Sequence, residues 1–378
     1  MQRSKIIHYN IFRYDELKAA GMLPGLLANI KFPALMGFLW DIKRRFSYLD
    51  RTGSVEMPFQ TKIIYPIPEM GTFNKTLDQV ADERAAEIWR AANGRIIDVF
   101  WSGGVDSTLA LAALLKNAPA RKKDQLRVRY RRIGDMPSFD EYPLFWETFI
   151  DGKVAHQEVP PAQFSDGILF DTQAVSITGE LGDIIFRSLS EWRRGKKFGF
   201  PPGKFDLSFP AEECVDAVVK SLSYDKMTAL SLQDQLSSVY SKCPYDVKSA
   251  GQMLWWLLFT MRWTSILGRL TLSLDAVPFK NDVYSFYESD DFQRWAIKAH
   301  FEDPEGYYVQ SADPHGYKRE AKKYIFDFTQ DPDYYDSKGK YNSMSIPHTH
   351  DLFVLEDGTY LSFDQDHSFD GFEYLINV

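Results

Sequence analysis

Apolar and polar positions along the chain recur with two periods. After Thr76 the apolar residues Val80, Ala81, Ala85, Ile88 and Trp89 fall at helical spacing, broadly on one face. Thr76-Leu77-Asp78-Gln79 fits a capping box, so a helix is predicted from there to Ala92. An apolar run from Ile96 to Trp101 then predicts a strand, and Leu109 to Leu115 an apolar helix just after a Ser-Gly-Gly turn. Leu126 to Tyr130 alternates as a strand does, Val154 to Val159 more loosely, and Ala174 to Ile177 reads as a short buried strand. Strand, helix and three further strands in this order suit an α/β fold, a parallel sheet with flanking crossover helices. Residues 205 to 330 read mainly helical, and the aromatic stripe Trp255, Trp256 and Phe259 reads as core. Leu352 to Val378 reads as a hairpin around Glu356-Asp357-Gly358. Gly21 to Phe38 mixes apolar residues with Pro24 and Pro33 and reads as broken helix or loop; Thr61 to Tyr65 is strand-like.

Composition narrows the class. The 378 residues are 44% hydrophobic and 25% charged, ordinary for a globular chain and enough for one large domain or two. Lys and Arg total 44 against 52 Asp and Glu, a net charge of −8. That balance argues against bulk coating of nucleic acid but leaves room for a local basic groove. Cys214 and Cys243 are the only cysteines. Neither a disulfide framework nor a cysteine zinc site is expected, and a reducing cytoplasm is. No signal peptide is evident, and the longest apolar helical stretch, Met253 to Met261, is too short to span a membrane.

The chemistry concentrates in two loops. Ser102-Gly103-Gly104-Val105-Asp106-Ser107-Thr108 joins the predicted strand to the helix after it. Adjacent glycines let the backbone wrap an anion closely, and a helix N-terminus adds N–H groups and a positive dipole end. Ser102, Ser107 and Thr108 add hydroxyl donors, and Asp106 can hold Mg²⁺. No Gly-Lys-Ser/Thr ends the run, so it is not a Walker loop. It reads as a pyrophosphate cradle; the competing reading is a plain turn. Thr178-Gly179-Glu180-Leu181-Gly182-Asp183 likewise follows a strand and precedes a helix start. Glu180 and Asp183 there suit metal and acid–base work. The alternative is a helix N-terminus with two first-turn acids.

The first loop resembles the SGGxDS loop of the PP-loop ATP pyrophosphatases. The second resembles the SGEGSDE segment in the ATP-dependent domain of asparagine synthetases, with Gly179, Glu180 and Asp183 aligned. Thr178 stands for Ser, Leu181 for Gly, Gly182 for Ser and Ile184 for the last Glu. Gln252 to Arg262, then Val277-Pro278-Phe279-Lys280-Asn281-Asp282, resemble in part that family's buried helix and RxPFLD segment, with Ala276 where the arginine would be. Gly316-Tyr317-Lys318-Arg319-Glu320-Ala321 is similar to the segment bearing the family's phosphate-side lysine, although Lys322 and Lys323 compete for the role. The resemblance covers residues 76–330, an asparagine-synthetase-like PP-loop ATP-binding domain. It leaves 1–75 as an N-terminal region of unknown role and 331–378 as a tail. Gln2 occupies the position of the family's glutaminase nucleophile, and the N-terminal region is too short for a glutaminase domain.

What the resemblance implies is concrete. ATP is bound by Ser102 to Thr108 with Thr178 and Gly179, and Asp106 and Asp183 hold Mg²⁺. Lys318 and Glu180 are catalytic, and the adenine meets backbone groups near Tyr130 to Ile133. The expected activity is an AMP- and pyrophosphate-forming ligase that adenylates a substrate carboxylate and transfers it to an amine or to ammonia. Its partners are small-molecule carboxylates and amines. Two alternatives stand beside it. One is an enzyme acting on a nucleobase or nucleic acid, motivated by the basic clusters Arg121-Lys122-Lys123 with Arg127, Arg129, Arg131 and Arg132, and Arg193 to Lys197 with Phe198, Phe200 and Lys204; both clusters also read as solvated surface. The other is a non-catalytic nucleotide-binding protein. His348, His350, Asp351, Asp364, Asp366 and His367 could supply a metal site, although nothing in the sequence fixes their geometry. Oligomeric state is not legible.

Overall fold

The structure, a computed structural model, describes residues 5–9, 18–19, 21, 31–42, 48–120, 122–133, 136–159, 173–186, 210–221, 224–272, 282–302, 318–339, 351–355 and 360–362. In chain order it contains β1 (Ile6–Tyr9), α1 (Ala34–Ile42), α2 (Leu77–Ala92), β2 (Ile97–Phe100), α3 (Val105–Lys116) and β3 (Leu126–Ile133). Next come β4 (Met136–Pro137), β5 (Ala155–Val159), β6 (Val175–Thr178), α4 (Gly182–Ile185), α5 (Ala211–Ser221), α6 (Lys226–Tyr240), α7 (Ala250–Met261) and α8 (Trp263–Leu272). The chain continues with β7 (Val283–Ser285), α9 (Asp290–Glu302), α10 (Arg319–Thr329), α11 (Pro332–Ser337), β8 (Asp351–Leu355) and β9 (Tyr360–Ser362). Five strands form an all-parallel sheet in the order β5-β3-β2-β6-β7, and β4 adds antiparallel to the end of β3. Helices flank the sheet and dominate the C-terminal part, the mixed α/β class expected from the pattern.

Strand order decides where a ligand can sit. From β2 the chain moves outward through β3 to β5, then returns to place β6 on the other side of β2. The connections leaving β2 and β6 therefore diverge and open a crevice between their C-terminal ends. Open α/β sheets bind ligands at such a switch point. The loops after β2 and β6 are the two glycine-rich stretches of the sequence.

The faces of the sheet differ. Ile97 and Val99 of β2 lie beside Val175 and Ile177 of β6 and Leu126 and Val128 of β3, and all six are fully buried. Alternation puts Asp98, Arg127, Arg129 and Ser176 on the opposite face. Asp98 is fully buried and takes two bonds from Arg127, Nε–Oδ1 at 2.5 Å and Nη2–Oδ2 at 2.8 Å, with Arg129 Nη1 at 3.8 Å. Two arginines of the first basic cluster are thus engaged inside the fold.

Local signals place several helices. Thr76 and Gln79 cap α2 reciprocally, and Ser249 and Gln252 do the same for α7. Every residue of α7 is buried, including Trp255 and Trp256, whose indole N–H groups bond Ile184 O at 2.9 Å and Val239 O at 3.0 Å. Two expectations differ from the structure. Of Gly21 to Phe38, residues 22–30 lie outside the described residues, and Pro33 directly precedes a helix: α1 starts at Ala34, and Gln235 of α6 caps the orphan Leu35 N–H at 2.8 Å. Thr61 to Tyr65 forms no strand. Thr61 makes a single parallel bridge to Ile6, whose strand pairs instead with β8. β8 also pairs antiparallel with β9, while the turn residues 356–358 lie outside the described residues. The core is continuous from Ile6, Leu35 and Phe59 through the parallel sheet to Leu355. Among the described residues no helix is long and apolar enough to cross a membrane.

Candidate functional site

The first loop is bent as its glycines require. Gly103 adopts a positive φ of 75°, and Gly104 is the extended residue that opens α3 without a side-chain cap. The first-turn N–H groups of α3 have no acceptors within the helix, the arrangement that suits an anion. Ser102 and Ser107 shape the loop: their hydroxyls are 3.0 Å apart, Ser107 Oγ accepts from Ser102 N at 3.1 Å, and Ser102 Oγ accepts from Gly104 N at 3.3 Å. Val105 is buried, as is Thr108, whose hydroxyl accepts the Trp101 indole N–H at 3.0 Å. Thr108 thereby braces the loop from below.

The second loop lies directly on the first. A Cβ on Gly179 would meet Ser107 N at 2.8 Å, and one on Gly182 would meet Asp106 Oδ1 at 2.6 Å and Asp106 Cβ at 2.7 Å. Only glycine permits this approach at either position. Thr178 ends β6 beside it, and among the described residues its buried hydroxyl oxygen has no hydrogen-bond partner. A polar atom held in this state at the edge of a glycine cradle is what a bound polar ligand would satisfy.

The charged centre joins three distant parts of the chain. Lys318 Nζ is ion-paired with Asp106 Oδ2 and, at 2.8 Å, with Asp183 Oδ1. The Lys318 side chain is 1% exposed, against 21% for Asp106 and 37% for Asp183. Backbone strain marks the same place. Of the four non-glycine residues with positive φ among the described residues, Asn93 and Gln330 close helix C-termini, where this conformation is ordinary. Leu181 (φ 69°) and Lys318 (φ 52°) instead open α4 and α10 at the site. Such residues cost of order 1–3 kcal/mol each and persist where the surroundings over-determine them.

Neighbouring groups complete the site. Tyr287 donates to Asp106 O at 2.7 Å, and burial, then the Asp106 charge, raises its phenol well above the usual range. Ser285 Oγ donates to Glu180 O at 2.5 Å, tying β7 to the second loop. On the other lip, a Gly104 Cβ would lie 3.7 Å from Glu141 Oε1. Lys338, 5% exposed, bonds that carboxylate at 2.8 Å; burial lowers its ammonium pKa and Glu141 opposes the shift. Burial also lowers Arg131, against the charges of Glu141 and Glu180. Glu180 and Arg131 therefore belong to one electrostatic neighbourhood.

The structure brings together Ser102 to Thr108, Thr178, Gly179, Asp183 and Lys318. Lys322 is buried, its ammonium donating to Lys338 O at 3.3 Å, and Lys323 is exposed and paired with Asp327. Sequence reasoning missed Glu141, Lys338, Ser285 and Tyr287. Glu141 and Lys338 sit in segments with no motif, and only strand order and helix packing carry them to the crevice. Ala276, Pro278, Phe279, Lys280, Asn281, Gly316, Tyr317, Arg121, residues 193–204, His348, His350, Asp364, Asp366 and His367 lie outside the described residues. Among the described residues no three metal-ligating side chains gather. A metal at Asp106 and Asp183 would need ligand oxygens besides the two carboxylates, which is how Mg²⁺ is held with nucleotide phosphates. Searches against family models and against curated proteins return no match to this chain.

Proposed function

We propose that the protein is an ATP-dependent ligase that forms AMP and pyrophosphate, activates a substrate carboxylate as an adenylate and transfers the acyl group to an amine or ammonia. One observation carries the reading: Lys318 is ion-paired to both Asp106 and Asp183 where two glycine loops meet over a helix N-terminus. A triphosphate tail fits this donor set. The α3 N-terminus and Gly103-Gly104 receive the β and γ phosphates through N–H groups, and the orphan Thr178 hydroxyl offers a further donor. Magnesium bound at Asp106 and Asp183 would neutralise phosphate charge as the leaving group departs.

The chain's own residues then have definite tasks. Lys318 holds a fixed positive charge beside the position where charge develops, and fixed charge in a dry site is typically a large catalytic term. A substrate carboxylate oxygen attacks the α-phosphorus; the bond to the β-phosphate oxygen breaks, and pyrophosphate departs along the loop from Ser102 to Ser107. The amine nitrogen then attacks the acyl carbon, AMP leaves, and Glu180 takes the amine proton. Glu180 suits this task because Ser285 fixes its backbone in the second loop.

Screening amino acids, nucleotides and nucleic acids for stimulated release of AMP and pyrophosphate from ATP tests the proposal. AMP and pyrophosphate are the expected products; ADP and orthophosphate would overturn it. Asp106→Asn is expected to lower ATP–pyrophosphate exchange by roughly 10²-fold or more.

A further inference from the structure

We infer that Lys318 is a stand-in cation that keeps free divalent metal out of the Asp106–Asp183 pair, so that metal enters only together with the nucleotide. The inference rests on the nucleotide-binding reading above and adds how that site is loaded. Two carboxylates brought together would repel each other, and here a single ammonium lies between them, bonded to both. It is not a surface lysine folded over by chance. Its side chain is almost wholly buried, its backbone is held in the left-handed region, and it opens α10, which packs against α3 and α11. The carboxylate it contacts on α3 has little room to turn away, because Asp106 lies against Gly182 and its own carbonyl is held by Tyr287.

Magnesium demands near-octahedral oxygen ligation and gives up water reluctantly. Two carboxylates already bonded to a buried ammonium, their charge half offset, offer it little. Phosphate oxygens change both sides of the exchange. They give the ammonium a new anionic partner, and they give the metal the ligands that two aspartates cannot supply. Lys318 then shifts to phosphate as the metal takes its place between the carboxylates, and the internal cation is exchanged for one delivered with substrate.

Electron paramagnetic resonance of Mn²⁺ with the nucleotide-free full chain tests this directly. The native protein is expected to leave millimolar Mn²⁺ free, whereas Lys318→Met binds about one Mn²⁺ per chain at least tenfold more tightly. Adding Asp183→Asn to Lys318→Met is expected to abolish that binding. Native protein that binds Mn²⁺ as tightly as Lys318→Met would overturn the inference, as would Lys318→Met binding that survives loss of Asp183. If Lys318→Met does not fold, thermal unfolding of the native protein decides. Mg²⁺ alone should leave Tm unchanged, and Mg²⁺ with α,β-methylene-ATP should raise it above the analogue alone; a rise with Mg²⁺ alone overturns the inference. Calorimetry with the same analogue separates the two proposals: absence of any nucleotide binding defeats the ligase reading, while nucleotide binding beside a metal-filled native site defeats only the exchange.

Discussion

At Gly179 and Gly182 one methyl group decides whether the two loops can meet. Gly182→Ala would force a carbon onto the Asp106 side chain, and Gly179→Ala would force one onto the Ser107 backbone. The first must push aside an Asp106 side chain already held by Lys318, and the second meets backbone that cannot yield. Gly182→Ala is therefore expected to fold with a small loss of stability but to lose nucleotide affinity, measured by calorimetry with α,β-methylene-ATP. Gly179→Ala is expected to lose affinity and also ~1–3 kcal/mol of stability by denaturant unfolding. Glu180→Gln should spare ATP–pyrophosphate exchange and block ligated product; equal loss of both would remove the amine role. The cradle glycines, Asp106 and Asp183 were legible because turn chemistry is written in adjacent residues. Glu141 and Lys338 were not, because a buried pair at long separation has no local signature.

Among the elements, the turn just after β7 carries the clearest pH response. Glu288 accepts from Ser285 N at 3.1 Å and lies 3.5 Å from Arg84, which also bonds Ser285 O and Phe286 O. Burial raises its carboxyl from the ordinary 4.5 to about 7, against the pull of Arg84. The native state then holds this proton more tightly than the unfolded chain. Its contribution to stability is full below about pH 4.5 and is lost as pH rises through about 7, a change of up to about 3 kcal/mol. Denaturant unfolding at about pH 5 and about pH 8 should show this fall in the native protein and a flatter profile in Glu288→Gln. Helix α2 followed from its capping box, and β2, β3 and β6 from apolar runs. Helix α1 did not, because the partner that satisfies its N-terminus, Gln235, belongs to α6.

For the molecule as a whole, Arg51 fastens the N-terminal part to the helices. Its guanidinium bonds Tyr65 O at 2.7 Å, Pro66 O at 3.1 Å, Phe259 O at 3.1 Å and Gln293 Oε1 at 2.5 Å, and lies over the rings of Phe259 and Trp263. Burial lowers its pKa to about 9. Arg51→Met leaves these acceptors unpaired and is expected to cost about 3–5 kcal/mol. Arg51→Lys should recover only part, since an ammonium cannot reproduce the fork. A Tm equal to the native value in either variant would refute the role.

By itself the sequence determined β2, β3, β5 and β6, the two glycine turns and the acids they carry, because hydrophobic period and turn chemistry act over a few residues. Only the tertiary structure decided that β6 returns beside β2, that Gly179 and Gly182 press on the first turn of α3, and that Lys318 reaches Asp106 across 212 positions of chain. Strand order depends on how whole faces pack, and no short window of residues contains that information.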